Sequence, residues 1–213
     1  MFARAVYTQH VRTPGCAARP HRRLRSHLGR KPASPVETHD GYQSFPNLGH
    51  RNFLQRTLEV PLFVWALGLP KGGRVLEVGC GRGVALPVVR RLLAPSFLAG
   101  LDVELPFLQE AREAETEGSA SSLVQGDLRR MPFPDSSFDL VIDFGTCYHV
   151  DKRERALLEI TRVMARGAVL ATEAKLAQVL AHPIRTRGRR LNLPPTLRRK
   201  AHRGMWMSFE KVV

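Results

Sequence analysis

A glycine-rich stretch is the part of this sequence whose residue types and spacing most directly suggest chemistry. Glycine stands at positions 79, 81 and 83, directly after the apolar run Val75-Leu76-Glu77-Val78. Such glycines let the backbone turn sharply and approach a ligand without interference from Cβ atoms. A helix that follows the turn offers unpaired N–H groups in its first turn. The pattern predicts a ligand-binding loop, the alternative being a tight strand-to-helix connection without a ligand.

The spacing of the glycines distinguishes between classes of ligand. A dinucleotide-binding fingerprint needs glycine or alanine at the sixth position counted from Gly79, and that position is Val84. The pyrophosphate of a dinucleotide therefore fits this loop poorly. The acid just before the turn, Glu77, points to a different ligand.

Short apolar runs that alternate with helical segments must position this loop. The strands predicted from these runs cover residues 74–78, 97–101, 123–125, 140–144 and 168–172. Helices are predicted at 84–93, at 104–117 with Gly118 as its C-terminal cap, and from Asp151 to about Met164, where Asp151 and Glu154 form a capping box. The alternation predicts an α/β fold, a doubly wound and mostly parallel sheet with helices on both faces. Right-handed crossovers then place the carboxyl ends of the strands on one edge, where ligands bind.

Elements are also predicted at both ends of this region. A helix that begins near His50 places Leu54, Leu58, Leu62 and Trp65 on one face, and we expect the packed core to start there. Gly68 and Pro70 end this helix. Residues 205–213 are predicted to form a final antiparallel strand at the sheet edge.

Four sequence segments together resemble a known family. These are Glu77-x-Gly79-x-Gly81-x-Gly83, Leu98-Ala99-Gly100-Leu101-Asp102, Gln125-Gly126-Asp127-Leu128 followed by Met131-Pro132-Phe133-Pro134-Asp135, and Phe138-Asp139-Leu140-Val141-Ile142-Asp143. They are similar to the motifs of class I S-adenosylmethionine-dependent methyltransferases, particularly the type 11 group, over about 130 residues. The resemblance implies a Rossmann-like methyltransferase fold, S-adenosylmethionine as the cofactor and methyl transfer as the activity.

The same resemblance implies roles for individual cofactor-binding residues. Glu77 would orient the amino group of the methionine part, beside Gly79, Cys80, Gly81 and Gly83. An acceptor-only carboxylate suits the two ribose hydroxyls, which is the role implied for Asp102, next to Val103. The alternative for Asp102 is a helix N-cap.

The third and fourth segments carry further implied roles. Asp127 would accept a hydrogen bond from the adenine amino group, with the Leu128 backbone nearby. Asp143 and Phe144 would contact the methionine part or line the substrate site, whereas Asp139 is interpreted as structural. No metal site is implied.

Tyr148 and His149 are the candidate catalytic residues, because related sequences often have a histidine or aromatic residue here. A neutral imidazole can remove a proton from an attacking hydroxyl or amine. The alternative is that His149 only packs against or caps the following helix.

Two departures from the family pattern lie beyond the fourth strand. The usual Pro-Gly-Gly turn before the fifth strand is replaced by Arg166-Gly167-Ala168. Only about forty residues come after that strand, so the usual terminal helix and antiparallel strand pair are expected to be compressed or partly missing. A non-catalytic relative of the family is therefore one of the hypotheses.

The net charge of +14 lies at the two ends of the chain. Residues 1–36 contain eight Lys or Arg and no acid, and residues 175–213 contain ten Lys or Arg and a single acid, Glu210. We predict a disordered basic extension at residues 1–40 and a methyltransferase domain at residues 41–213 with a short basic C-terminal segment. We expect a cytoplasmic location. The Arg-rich extension also resembles a mitochondrial transit peptide, so a mitochondrial location is the alternative.

Composition leaves the partner of the basic C-terminal segment open. A nucleic acid would be bound through phosphates, with RNA methylation as a related hypothesis, whereas an anionic small-molecule acceptor would use the same charges. The basic residues concerned are Arg185, Arg187, Arg189, Arg190, Arg198, Arg199, Lys200 and Arg203. A small-molecule acceptor is the preferred hypothesis, because aromatic side chains are not interleaved with this cluster. No apolar run is long enough to span a bilayer, and no membrane partner is expected.

Overall fold

A computed structural model describes residues 48–115, 121–175 and 192–213 of the chain. Seven described strands form one sheet in the order β3-β2-β1-β4-β5-β7-β6. Neighbouring strands from β3 through β5 are parallel, and β7 and β6 are added antiparallel to their neighbours. The prediction of a mostly parallel sheet with an antiparallel edge is confirmed.

The parallel strands follow the predicted apolar runs, because a strand buried on both faces needs mostly apolar residues along its length. Their bounds are β1 Arg74–Val78, β2 Phe97–Asp102, β3 Ser122–Gln125, β4 Phe138–Asp143, β5 Met164–Glu173, β6 Leu197–Arg203 and β7 Trp206–Lys211. The first helix covers residues 48–67 and consists of α1 Leu48–Leu54, a π-helical turn Gln55–Glu59 and α2 Val60–Leu67. The remaining helices are α3 Leu86–Leu93, α4 Leu105–Glu113, α5 Thr146–His149 and α6 Arg153–Val163.

Helices cover both faces of the sheet, as the doubly wound prediction requires. On one face, Val60 and Phe63 of α2, Val89 of α3 and Leu108 of α4 join a buried cluster with alternate strand residues. On the other face, Leu157 and Ile160 belong to α6 and pack on the remaining strand residues. None of the described helices is long and apolar enough to cross a bilayer.

The prediction for the apolar face of the first helix was wrong. Leu54, Leu58, Leu62 and Trp65 are exposed, and the helix is buried through Val60, Phe63 and Leu67. Both faces are apolar, so helical periodicity alone does not indicate which one packs on the sheet. The predicted end of the helix is confirmed, because Gly68 adopts a left-handed conformation there with φ of 57°.

The start of α6 also differs from the prediction. The N-cap is Lys152, in a left-handed conformation, and no side chain caps the helix. The carbonyl of Lys152 accepts hydrogen bonds from the N–H groups of Arg155 and Ala156. The turn before α6 therefore moves the cap one residue past Asp151, and the predicted capping box does not form.

The segment after α6 differs most from the expectation. Strand β5 begins at Met164, and the predicted turn at Gly167 is instead an irregularity within the strand, where the register with β4 shifts and Gly167 has φ of 76°. Both antiparallel strands are present, so the strand pair is not missing, and the strand predicted at residues 205–213 is found as β7. Strand β7 lies between β5 and β6, and β6 forms the edge.

Some predictions fall on residues outside the described part of the chain. These are the extension at residues 1–40, Gly118, and the basic residues Arg185, Arg187, Arg189 and Arg190.

Candidate functional site

The glycine-rich loop joins β1 to α3 at the carboxyl edge of the sheet. Gly79, Gly81 and Gly83 have φ values of 66°, 51° and 69°, a region in which residues with a Cβ are strained. The backbone N–H groups of Gly79 and Cys80 both donate to the carbonyl of Leu101 in β2, at 2.7 and 3.0 Å. The loop is therefore fixed to the neighbouring strand.

Crowding differs between the loop glycines. A Cβ at Gly79 would collide with the side chain of Thr146, whose Cβ is 2.7 Å away, whereas a Cβ at Gly81 would meet open space. A Cβ at Gly83 would lie 3.0 Å from the Cβ of Ala111 in α4. Gly79 and Gly83 thus permit close packing, and Gly81 faces the space next to the loop.

Two pockets meet at this loop. The first has an empty volume of about 820 Å³ and contains Asp102, Val103, Asp127, Leu128 and His149 in its lining. The second has an empty volume of about 570 Å³ and is lined in part by Glu77, Cys80 and Phe144. Gly79, Gly81 and Phe107 line both. The loop therefore separates two adjoining spaces that together suit an elongated ligand.

Glu77 is a buried acid at the carboxyl end of β1. No group in the described residues donates a hydrogen bond to its Oε2 atom. Burial, and to a lesser extent the negative charge of Asp102, raise the pKa of Glu77 to about 8. A buried acceptor without a donor is costly, and a cationic donor in the second pocket would satisfy it.

Asp102 ends β2 and holds two loops through its carboxylate. Its Oδ2 atom accepts a hydrogen bond from the Gly81 N–H at 2.7 Å, and Oδ1 accepts one from the Glu104 N–H at 2.9 Å. Burial raises the pKa of Asp102 against the lowering effect of these backbone donors. Each carboxylate oxygen has a second lone pair, so Asp102 can still accept from two hydroxyl groups in the first pocket.

Asp127 is paired with a residue that the sequence did not point to. The Arg129 guanidinium donates to both carboxylate oxygens, with Nε 2.9 Å from Oδ1 and Nη2 2.7 Å from Oδ2. Burial raises the pKa of Asp127, but the hydrogen bonds from Arg129 outweigh it, so the pKa lies below its ordinary value. Arg129 fixes an ionised carboxylate at the wall of the first pocket.

Asp143 has a different position from the other acids. It is buried and lines neither pocket; its oxygens accept from the Thr172 hydroxyl at 3.0 Å and from the Cys147 N–H at 3.4 Å. Burial raises its pKa, and these hydrogen bonds partly offset the effect. Asp143 therefore joins β4 to β5 and to the start of α5.

Of the two candidate catalytic residues, His149 lines one of the two pockets and Tyr148 lines neither. His149 lines the first pocket, as Asp102 and Asp127 do. Tyr148 is buried and lines neither pocket, and burial raises the pKa of its hydroxyl to about 12. A role in catalysis stays a prediction for both residues.

Several pocket residues were not predicted from the sequence. Thr146 contacts Gly79 and donates a hydrogen bond to the Val78 carbonyl at 3.2 Å. The Arg82 guanidinium lies 4.4 Å from the centre of the Phe107 ring, which lines both pockets. Residues of the first helix complete the second pocket: Arg51, Asn52 and Gln55. Helical spacing predicted that helix, but only its packing on the sheet brings it to the loop.

Comparisons with known proteins agree with this geometry. Residues 76–172 match a family model described as a methyltransferase domain. A fatty-acid O-methyltransferase of Mycolicibacterium smegmatis is 33% identical over 49% of this chain and 38% of its own length. A phosphatidylethanolamine N-methyltransferase of Cereibacter sphaeroides is 37% identical over 46% of this chain and 48% of its own length. The chain therefore contains, at residues 76–172, a domain that matches the methyltransferase family model and resembles class I S-adenosylmethionine-dependent methyltransferases. It matches less than half of the length of these two relatives.

A solved structure supports the fold of this methyltransferase domain. A methyltransferase from Aquifex aeolicus superposes with a TM-score of 0.58 at 17% identity, over 79% of this chain and 94% of its own length.

The described residues fit the cofactor of this family. The amino group of the methionine part would supply the donor that Glu77 Oε2 lacks among the described residues. The ribose hydroxyls suit the free lone pairs of Asp102, and the open space beside Gly81 admits a ligand next to the backbone. The methyltransferase domain therefore provides polar acceptors on both sides of its glycine loop.

Proposed function

We propose that this protein transfers a methyl group from S-adenosylmethionine to a small-molecule acceptor. The observation that carries the proposal is the pair of pockets joined at Gly79 and Gly81, with Glu77 on one side and Asp102 on the other. This arrangement suits a ligand that has a cationic amino group at one end and a ribose diol at the other.

The protein contributes mainly by positioning. The cofactor supplies a methyl group already activated on a sulfonium, so a covalent protein nucleophile is not needed. Glu77 and Asp102 would hold the two polar ends of the cofactor and thereby orient it along the loop. Holding reactants in near-attack geometry can be worth effective molarities of up to ~10⁵ to 10⁸ M. Phe107 and Phe144 would exclude water from the adjoining pocket walls.

The acceptor in this proposal carries an anionic group. Arg51 lines the second pocket together with Glu77, which gives that pocket a cation suited to a carboxylate or phosphate. A carboxylate is ionised at neutral pH and attacks without a general base, whereas an amine or hydroxyl acceptor needs a base such as His149. The relative from Mycolicibacterium smegmatis is named for fatty acids, which have such a carboxylate.

Transfer of labelled methyl from S-adenosylmethionine tests this proposal. The acceptors are a fatty acid series and, separately, phosphatidylethanolamine, with the variants Arg51→Leu and His149→Ala. We expect saturable methylation of the fatty-acid carboxylates. Arg51→Leu should raise the KM for the fatty acid about tenfold, because one charge-assisted hydrogen bond is lost. His149→Ala should have little effect on the rate of this methylation. Cofactor binding without methylation of any of these acceptors would instead favour the non-catalytic relative.

Binding or methylation of RNA is the second candidate function. One observation favours it: Arg198, Arg199, Lys200 and Arg203 of the edge strand β6 are all exposed. Binding to phosphates would weaken steeply with added salt. Titration of a labelled RNA hairpin at two salt concentrations distinguishes this candidate, and methylation of the RNA would make it the preferred one.

The location proposed for this activity is a cytosol-like compartment. Cys80 and Cys147 are both free and buried, which is consistent with a reducing environment. A fluorescent fusion of the full chain tests this location, and import into mitochondria would favour the transit-peptide alternative.

A further inference from the structure

Arg129 binds the carboxylate of Asp127 at the wall of the first pocket. Within the described part of the chain, Asp127 accepts hydrogen bonds from the backbone N–H, Nε and Nη2 of Arg129, at 2.7 to 3.0 Å. The backbone N–H donates to Oδ1, Nη2 donates to Oδ2, and Nε lies within reach of both oxygens. An ionised carboxylate has about four lone-pair sites, so these donors leave about one of them for a ligand in the pocket.

Helix α6 fixes the segment that carries this pair. Arg155 Nε donates to the Arg129 carbonyl at 3.2 Å, and the Met131 N–H donates to Glu159 at 3.0 Å. The segment is therefore attached to the helix at two points. This attachment fixes the backbone from which the Arg129 side chain reaches Asp127.

The pair controls the protonation state of Asp127. Burial raises the pKa of Asp127, but the hydrogen bonds and charge of Arg129, together with the charge of Arg155, hold it below its ordinary value. An ionised carboxylate only accepts hydrogen bonds, whereas a protonated one can also donate. Without Arg129, the effect of burial would be opposed mainly by Arg155, and Asp127 would take up a proton at higher pH.

We propose that Arg129 is a positioning residue that restricts Asp127 to accepting hydrogen bonds, so that the first pocket selects a purine with an exocyclic amino group over one with a carbonyl there. An amino group donates to the ionised carboxylate. A carbonyl oxygen would instead face a second acceptor, and both groups would lack a hydrogen between them. This role of Arg129 rests on the proposed function, because it assigns the adenine ring of the cofactor to the first pocket.

Calorimetric titration of the full chain with S-adenosylhomocysteine and with S-inosylhomocysteine tests this role. The two ligands share the amino acid and ribose parts and differ only in the base, so the ratio of their affinities measures the base preference. The effect of pH on Glu77 cancels in this ratio, because both ligands carry the same amino group. Comparing variants at the same pH holds constant the other titratable residues that line the described pocket, which are Asp102, Glu104 and His149.

Arg129→Leu is the main variant, and Arg130→Leu is its matched control. Arg130 is the next residue in the chain, is exposed and lines neither pocket. We expect wild type and Arg130→Leu to prefer S-adenosylhomocysteine about tenfold or more at both pH 7.5 and pH 5. Arg129→Leu should lose about tenfold of this preference at pH 5, where Asp127 takes up a proton more readily, and less at pH 7.5.

Two further variants test whether Arg129 acts through Asp127. Arg129→Lys keeps the positive charge and should retain part of the preference at pH 5. In an Asp127→Asn background, whose amide does not titrate, Arg129→Leu should not change the preference further. Far-UV circular dichroism checks that each variant is folded.

Three results would overturn the role of Arg129 and leave the proposed function intact. These are an unchanged preference in Arg129→Leu, an equal loss in Arg130→Leu, or a loss by Arg129→Leu that is just as large in the Asp127→Asn background. Binding of neither ligand by the wild type would overturn this role and the proposed function together. The expected preferences without methyl transfer would count against the proposed function alone.

Discussion

At the scale of single residues, cofactor binding should depend most on the protonation state of Glu77. Burial raises its pKa to about 8, so the ligand-free carboxyl carries a proton at pH 7. A cationic amino group placed beside the carboxyl favours the ionised form. We therefore expect binding of S-adenosylhomocysteine at pH 7 to release up to about one proton per site.

Calorimetry in phosphate and in Tris measures this release, because the two buffers differ in ionisation enthalpy. The apparent binding enthalpy of the wild type should differ between the buffers. The control Glu77→Gln retains the shape of the side chain without a titrating group, and its enthalpy should be the same in both. Equal enthalpies for the wild type would contradict the assignment of Glu77 to the amino group.

At the scale of elements, the loop between β1 and α3 depends on two glycines in different ways. Both Gly79 and Gly81 have positive φ, so alanine at either position costs roughly 1–2 kcal/mol of backbone strain. At Gly79 the added Cβ also collides with Thr146, whereas at Gly81 it meets open space. We therefore expect Gly79→Ala to lower the free energy of unfolding more than Gly81→Ala does.

Urea unfolding of the two variants checks this difference. A second substitution, Thr146→Gly, removes the colliding side chain and should narrow the gap between Gly79→Ala and Gly81→Ala. Equal losses of stability in the two single variants would mean that Thr146 does not restrict the loop.

Strand and helix positions in this chain could be predicted to different degrees. The parallel strands are apolar along their length, so their positions follow from the sequence alone. Strand β6 reads Leu-Arg-Arg-Lys-Ala-His-Arg and was missed, because an edge strand tolerates charged residues that hide the strand pattern. The face of the first helix was mispredicted because Phe63 and Leu67 on one side are matched by Leu58 and Leu62 on the other.

The residues of the candidate site could be predicted only where a local sequence motif marks them. Glu77, Asp102 and the loop glycines lie in short local motifs, so the sequence indicated them directly. The pairing of Asp127 with Arg129 and the approach of Arg51 to the second pocket depend on side-chain packing, which residue spacing does not encode.

At the scale of the whole molecule, stability should depend on pH through Glu77. Its pKa of about 8 in the folded protein exceeds the ordinary value of 4.5, so the folded state binds this proton more tightly than the unfolded state does. The free energy of unfolding therefore falls as pH rises between these values, by about 1.4 kcal/mol per pH unit at most. Carboxyls with lowered pKa, such as Asp139 beside Arg74, act in the opposite direction and at lower pH.

Urea unfolding of the ligand-free protein at pH 5 and pH 8 measures this dependence. The wild type should be less stable at pH 8, and Glu77→Gln should show a smaller difference. A pH dependence that is identical in the two proteins would assign it to other groups.

The most direct test of a cofactor site around the glycine loop is a calorimetric titration of the full chain with S-adenosylhomocysteine. Asp102→Ala removes the acceptor for the ribose hydroxyls, Gly79→Arg places a side chain where even a Cβ collides with Thr146, and Asp151→Ala changes an exposed acid that lines neither pocket. We expect saturable binding by the wild type and by Asp151→Ala, a loss of about tenfold or more for Asp102→Ala, and no binding by Gly79→Arg. Absence of binding by the folded wild type, or equal affinities for wild type and Asp102→Ala, would contradict the cofactor site.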